Sequence, residues 1–165
     1  MLGQSGASQS AARGHQEVFA YWSSLREAGH LPSRSQIDPR HLKRLLPTVS
    51  LIDVDMESGK RIYRQRLAGT GLYTIYGREI TGRTIEDVYS EGEAGYWREQ
   101  LDKVVREGRP TVGCQTVAVR PGQTCSLLWI RLPLASDGRN VDMILGYDTV
   151  IGAPVGRMSS GIRAA

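Results

Sequence analysis

The sequence is short of the side chains that chemistry most often recruits. It holds three histidines, two cysteines and one phenylalanine in 165 residues. His15, His30 and His41 all precede the first strand-like run. No Ser/His/Asp or Cys/His set, metal-ligand spacing, P-loop or Gly-x-Gly-x-x-Gly element occurs, so catalytic and metal residues are expected to be absent, as are cofactors. No run approaches the roughly 18 apolar residues of a membrane span, and the N-terminus lacks a basic region followed by an apolar one; a cytoplasmic protein without membrane contact is expected. Charge of one sign is scarce too. The 21 basic and 17 acidic residues are interspersed and leave a formal charge of +4, with no basic stripe carrying aromatics, so nucleic acid is not an expected partner. The looser cluster of Arg40, Lys43, Arg44, Lys60, Arg61, Arg64 and Arg66 reads as a solvated face around the first hairpin.

What is present suffices for one domain: 40% hydrophobic content over this length can bury a core. Residues 1–14, small and polar, read as a disordered tail, 15–152 as the domain and 153–165 as a flexible C-terminal tail. From His15 to Ala28, Val18, Phe19, Trp22 and Leu25 recur at helical spacing. Phe19, Trp22 and Leu25 form a stripe too apolar to leave in water, which predicts a homodimer built on this helix. The segment "PSRSQIDPRHLKRLLPTVSLIDV" follows. Asp38 and Pro39 suit a helix start, Pro47 its end, and Leu42, Leu45 and Leu46 would press it onto apolar strand residues such as Leu51.

"TVSLIDVDM" and "KRIYRQRLAG" predict a hairpin with Tyr63, Gln65 and Leu67 on one face and Arg64 and Arg66 on the other. A Gly-punctuated stretch of short helical turns comes next. Ala94, Trp97, Leu101, Val104 and Val105 then predict an amphipathic helix stopped by Gly108 and Pro110. Three further strands complete an antiparallel α+β sheet with its helices on one face. Leu128, Ile130 and Leu132 alternate with Trp129 and Arg131, and Val141, Met143, Leu145 and Tyr147 with Asp142 and Asp148, so one side of the sheet is expected to be core. A hairpin about "RPGQ" would set Cys114 opposite Trp129 and Cys125 opposite Ala118, roughly 13 Å apart, so both should be reduced thiols.

The order of elements, with "REGRP" leading into the third strand and "PLASDGRNVDMILGY" running from the fourth into the fifth, resembles a PAS domain. The 32–54 segment, "YRQRLAGT" and "YGREITG" narrow the likeness to the single-domain bacterial PAS-like family PAS_5, over Tyr21 to Val150. The resemblance implies a five-stranded antiparallel sheet with N-terminal flanking helices and a role in signal sensing or protein interaction. PAS domains that hold haem use a histidine in the helices lining the pocket, and flavin-binding light sensors carry an adduct-forming cysteine in an Asn-Cys-Arg motif. Neither residue type occurs between Leu72 and Tyr89. Where the family leads one to expect an aromatic in the second strand, this chain has Gln65.

Tyr63, Gln65, Tyr73, Tyr76, Trp97 and Tyr147 are the candidates to line a cavity for a small apolar ligand, Gln65 foremost because a buried amide needs partners. Arg34, Asp38 and Asp53 read as caps or ion pairs. The function expected is a non-enzymatic sensor or adaptor acting in trans on an unidentified protein partner. Two alternatives are a hydrolase or isomerase of small molecules using the same cavity and a structural interaction module with a filled core.

Overall fold

The structure is a computed structural model that describes residues 3–151 and 155–156. A helix α1 (Gly3–Ser24) leads through three short 3-10 turns to the hairpin β1 (Val49–Glu57) and β2 (Lys60–Ala68). Helices α2 (Thr70–Tyr76), α3 (Ile85–Val88) and α4 (Glu91–Glu107) cross to β3 (Thr111–Arg120), β4 (Gln123–Leu134) and β5 (Met143–Val150). The sheet order is β2-β1-β5-β4-β3, antiparallel throughout, with a two-residue β6 (Val155–Gly156) paired to β4.

Local chemistry explains most of these boundaries. Ser58 and Gly59, both at positive φ, close the first hairpin in the twist that its strands require. Ser90 and Glu93 cap α4 reciprocally, and Gly108 ends it in the left-handed region. Asp38 accepts from the Arg40 N–H at 3.0 Å and so caps a 3-10 turn, Pro39–Leu42, in place of the expected α-helix; Pro47 lies inside the next turn, Leu46–Thr48.

Two cores, one on each side of the sheet, replace the single core face expected. Ile52, Tyr63, Leu127, Trp129 and Ile144 meet α2–α4 on the inner face. Leu51, Ile130, Leu132, Leu145 and Tyr147 meet α1 and the 3-10 segment, with Leu42, on the outer face. A bulge between Leu51 and Ile52 pairs Leu51 with Leu67 and Ile52 with Gln65. It therefore removes Leu67 from the face of Tyr63 and Gln65 and leaves it 45% exposed.

The segment expected to be a disordered tail is the first half of α1. Its Ala11 is buried, and a Cβ at Gly14 would lie 2.3 Å from the Tyr147 hydroxyl, so glycine lets the helix settle on β5. Trp22, assigned from the sequence to a dimer stripe, is instead buried against its own sheet and donates from Nε1 to the Pro133 carbonyl at 2.9 Å. Leu25 packs partly on the same core, and Phe19 stays 44% exposed. Of the segment read as a flexible C-terminal tail, β6 is described as strand and the rest lies outside the described residues.

Candidate functional site

The inner core is built around a buried charge. Trp129 and Arg131 alternate with Ile130 on β4, and both point toward α4, where Trp97 descends from the helix. The Arg131 guanidinium carbon sits 4.6 Å from the Trp97 ring centre and 5.6 Å from that of Trp129, and the two indoles meet edge to face at 5.2 Å. Its Nη1 donates to Asp148 Oδ1 at 2.8 Å and to the Ile130 carbonyl at 2.9 Å. Burial opposes the charge on Arg131, but Asp148 beside it outweighs that penalty and holds the guanidinium firmly protonated.

Two glycines make room for this arrangement. A Cβ on Gly113 would stand 2.4 Å from Trp129 Cζ2, and one on Gly146 would stand 2.4 Å from Ser50 Oγ and 3.2 Å from Arg131 Nη1. The indole and the guanidinium thus lie against bare backbone. Trp97 Nε1, Trp129 Nε1, Arg131 Nε and Gln65 Oε1 are buried without a hydrogen-bond partner among the described residues.

An aromatic line leads outward from the ion pair. Tyr89 packs 5.6 Å from Trp97, and its hydroxyl donates to that of Tyr76 at 3.2 Å. Burial pushes both phenols well above their ordinary range, so they are neutral. At the other end of α4, Asp102 Oδ1 accepts from Tyr63 at 2.5 Å and from Arg61 Nη1 at 2.9 Å. Burial would raise the Asp102 carboxyl, but these two donors outweigh it and lower it. Arg98 adds bonds to the Arg61 carbonyl and to Glu86.

Of the six cavity candidates, Tyr63, Gln65, Tyr76 and Trp97 are brought together in this interior. Tyr73, 55% exposed, lines a surface cleft of about 840 Å³ whose floor is Tyr76 and Val88. Tyr147 does not join them. It faces the outer core, where its ring meets His15 at 5.0 Å, because odd positions of β5 point away from α4. Asp53 pairs with Arg66, Asp38 with Arg40, and Arg34 donates to the Ile37 carbonyl. In the basic cluster noted from the sequence, Arg40, Arg44, Arg61, Arg64 and Arg66 all form ion pairs.

Arg131 and Asp148 were missed by pattern reading. Alternation alone sets Arg131 on the side opposite the expected core, whereas the signal lies across the strands: glycines 113 and 146 sit in register with Trp129 and Arg131. The two cysteines are one register step from expectation, Cys114 opposite Leu128 and Cys125 opposite Val117, because of an irregularity between Ala118 and Arg120. Both are free thiols, Cys114 exposed and Cys125 buried.

Among the described residues no helix is long and apolar enough to cross a membrane, and no group of three His, Cys, Asp or Glu side chains could hold a metal. No curated protein matches the chain. Solved structures with similar coordinates include a Rhodobacter sphaeroides LOV protein, 14% identical over 70% of this chain and 69% of that one at a TM-score of 0.52. A light-oxygen-voltage domain studied with a flavin analogue is 17% identical over 68% and 83% at 0.54. The light state of the blue-light photoreceptor aureochrome1 LOV is 17% identical over 68% and 88% at 0.51. At such identities the likeness is one of fold. The family model described as PAS domain, PAS_5, matches residues 10–148, and with that match, the sheet order and the helical crossover in agreement, the chain belongs to the PAS domain family.

Proposed function

We propose that this chain is a non-enzymatic PAS sensor or adaptor that acts in trans on a protein partner, with the packing of its inner core as the state that is read. The observation that carries this reading is the Trp97–Arg131–Trp129 stack closed by Asp148. It occupies the space between sheet and helices with the protein's own side chains, and it does so on β4 and β5, whose other face holds α1. A shift of Arg131 or Asp148 moves Ile130 or Tyr147, their chain neighbours under α1.

The same packing argues against a bound flavin, the cofactor type named for one light-oxygen-voltage neighbour. No cysteine lies on α2, α3 or α4, and two indoles and an ion pair fill the interior. It also favours the filled-core form of the reading over a resident apolar ligand. An enzyme has less support, since Asp102 and Asp148 are both engaged by guanidinium groups and the buried phenols are held protonated.

The test places a photo-crosslinking residue at Phe19 of the full chain in the producing cell, alone and together with Trp129→Phe. A discrete adduct with another protein, changed several-fold in yield by the core substitution, is the expected result. No adduct, or one indifferent to the core, would overturn the reading.

A further inference from the structure

The two edges of the sheet are treated differently. On β2 the edge is charged, and it is covered: Arg64 bridges to Thr84, the Gln65 N–H donates to the Arg83 carbonyl at 2.8 Å, and the Gly82 N–H donates to the Gln65 carbonyl at 2.6 Å. On β3 the run from Thr111 to Val119, TVGCQTVAV, carries no charge and no proline and is rich in β-branched residues. Natural edges are normally blunted by charge, proline, bulges or a covering segment, since a bare edge is a template for another strand.

The direction of its free groups follows from one hydrogen bond. The Ala118 N–H points away from β4 and donates to Glu93 Oε1 at 2.9 Å. In an antiparallel ladder, the N–H and C=O of one residue point to the same side and alternate along the strand. The register from Thr111 to Ala118 is regular. The main-chain groups of Val112, Cys114 and Thr116 therefore face the open edge, with no partner off the ladder among the described residues. Val112 is 65% exposed, and Cys114 and Thr116 are exposed as well. Glu93 closes the edge at Ala118 and limits the free stretch to these three positions.

We infer that β3 pairs antiparallel with β3 of a second copy of this chain, about a two-fold axis at Cys114, extending the sheet across a homodimer. The strand is complementary to itself in this register. Cys114 meets Cys114 of the second copy, Val112 meets Thr116 of the second copy, and Thr116 meets its Val112, which gives about six main-chain hydrogen bonds. Over the regular stretch, Thr111 to Val117 of one copy lie against the same residues of the second, and none of them is charged, so no like charges oppose each other there. The absence of charge along the strand fits a copy of itself better than an acidic or basic partner strand. This inference moves the dimer surface from the α1 stripe, whose Trp22 is internal, to the free edge, and it stands independently of the sensing role proposed above.

The central pair supplies its own probe. Residues in a hydrogen-bonded antiparallel pair have Cα atoms about 5.5 Å apart, within the roughly 4.4–6.8 Å a disulfide spans. Sedimentation of the full chain under reducing conditions should show a reversible dimer. Cys114→Lys and Val112→Lys, each confirmed as folded by near-UV circular dichroism, should weaken it about tenfold or more by placing charge on the paired edge. Met56→Lys, an exposed site on the β1–β2 hairpin, should leave it unchanged. Copper–phenanthroline oxidation of the unaltered protein should join Cys114 to Cys114 of a second molecule, with Cys125 unmodified. A monomer at all concentrations, a dimer untouched by both edge lysines, or a dimer in which Cys114 does not cross-link would each overturn the proposal, as would an edge that binds only an added β-prone peptide.

Discussion

Arg131 shows how far a single residue can organise the interior and how exposed it is to small changes nearby. A buried guanidinium deprived of its carboxylate is an uncompensated charge, so Asp148→Asn should lower stability by about 3–5 kcal/mol. Replacing both partners by apolar residues of similar volume, as in Arg131→Met with Asp148→Leu, should cost far less, because it removes the desolvated charge with its counter-charge. Urea unfolding of the two variants checks this directly; equal losses would show that the pair acts only by filling space. The glycine notches make a second prediction. Gly113→Ala must displace Trp129, whose Cζ2 lies within 2.4 Å of the new methyl group. The expected loss is about 1–3 kcal/mol, with an altered near-UV tryptophan signal. Gly92→Ala, where nothing lies within 4 Å, is the control and should be neutral or slightly stabilising within the helix.

At the scale of elements, α1 gives the clearest case of a helix whose meaning depends on what lies beneath it. Its apolar positions look like a surface in want of another molecule, yet Val18 and Trp22 meet the outer face of the same sheet. Trp22→Ala should therefore cost about 3–5 kcal/mol, as expected for a buried tryptophan, while Phe19→Ala should change stability by under about 1 kcal/mol. Comparable losses at both would return Phe19 to the core. Legibility in the sequence followed the locality of the cause. Helix α4 was readable because its Trp97–Leu101–Val104 stripe and its stop at Gly108 are local signals; the structure adds the cap at Ser90 and Glu93. The hairpin turns were readable for the same reason. The start of α1 was hidden because Gly14 and its small polar neighbours argue against a helix until Tyr147 is known to lie below. The faces of Leu67 and Tyr147 were hidden because a bulge in one strand and a second core across the sheet are decided by partners distant in sequence. For the candidate site, the aromatic members on α2 and α4 were visible, and the charged pair that they enclose was not.

The molecule as a whole is one sheet with two cores, and the faces differ in what would open them. On the inner side the titratable groups are ion-paired, phenols far from titration, or the Cys125 thiol that burial keeps neutral, so mild acid leaves that face intact. On the outer side the His15 ring is buried between α1 and the sheet; its Nδ1 donates to the Ala11 carbonyl at 3.0 Å, and its Nε2 has no partner among the described residues. Burial lowers its pKa from the ordinary value, against smaller opposing effects from the Ala11 bond and from Asp148 through the sheet, while Arg131 adds to the lowering. Glu17, the nearest acid on the same helix, is taken by Arg44 at 2.8 Å. With the folded pKa below the unfolded one, the unfolded chain binds more protons in between. Stability should therefore be full above the unfolded value, about 6.5, and fall as pH drops below it, by at most about 1.4 kcal/mol per pH unit for one group. Because the penalty acts on α1, the helix should loosen before the sheet does. Hydrogen exchange between pH 7 and 5.5, corrected for intrinsic rates, should rise across Gly14–Ser24 while Glu91–Glu107 stays protected, and His15→Gln should remove the difference. Equal loosening of both helices, or an unchanged pH response in the variant, would mean that the two faces open together and that His15 does not govern the outer one.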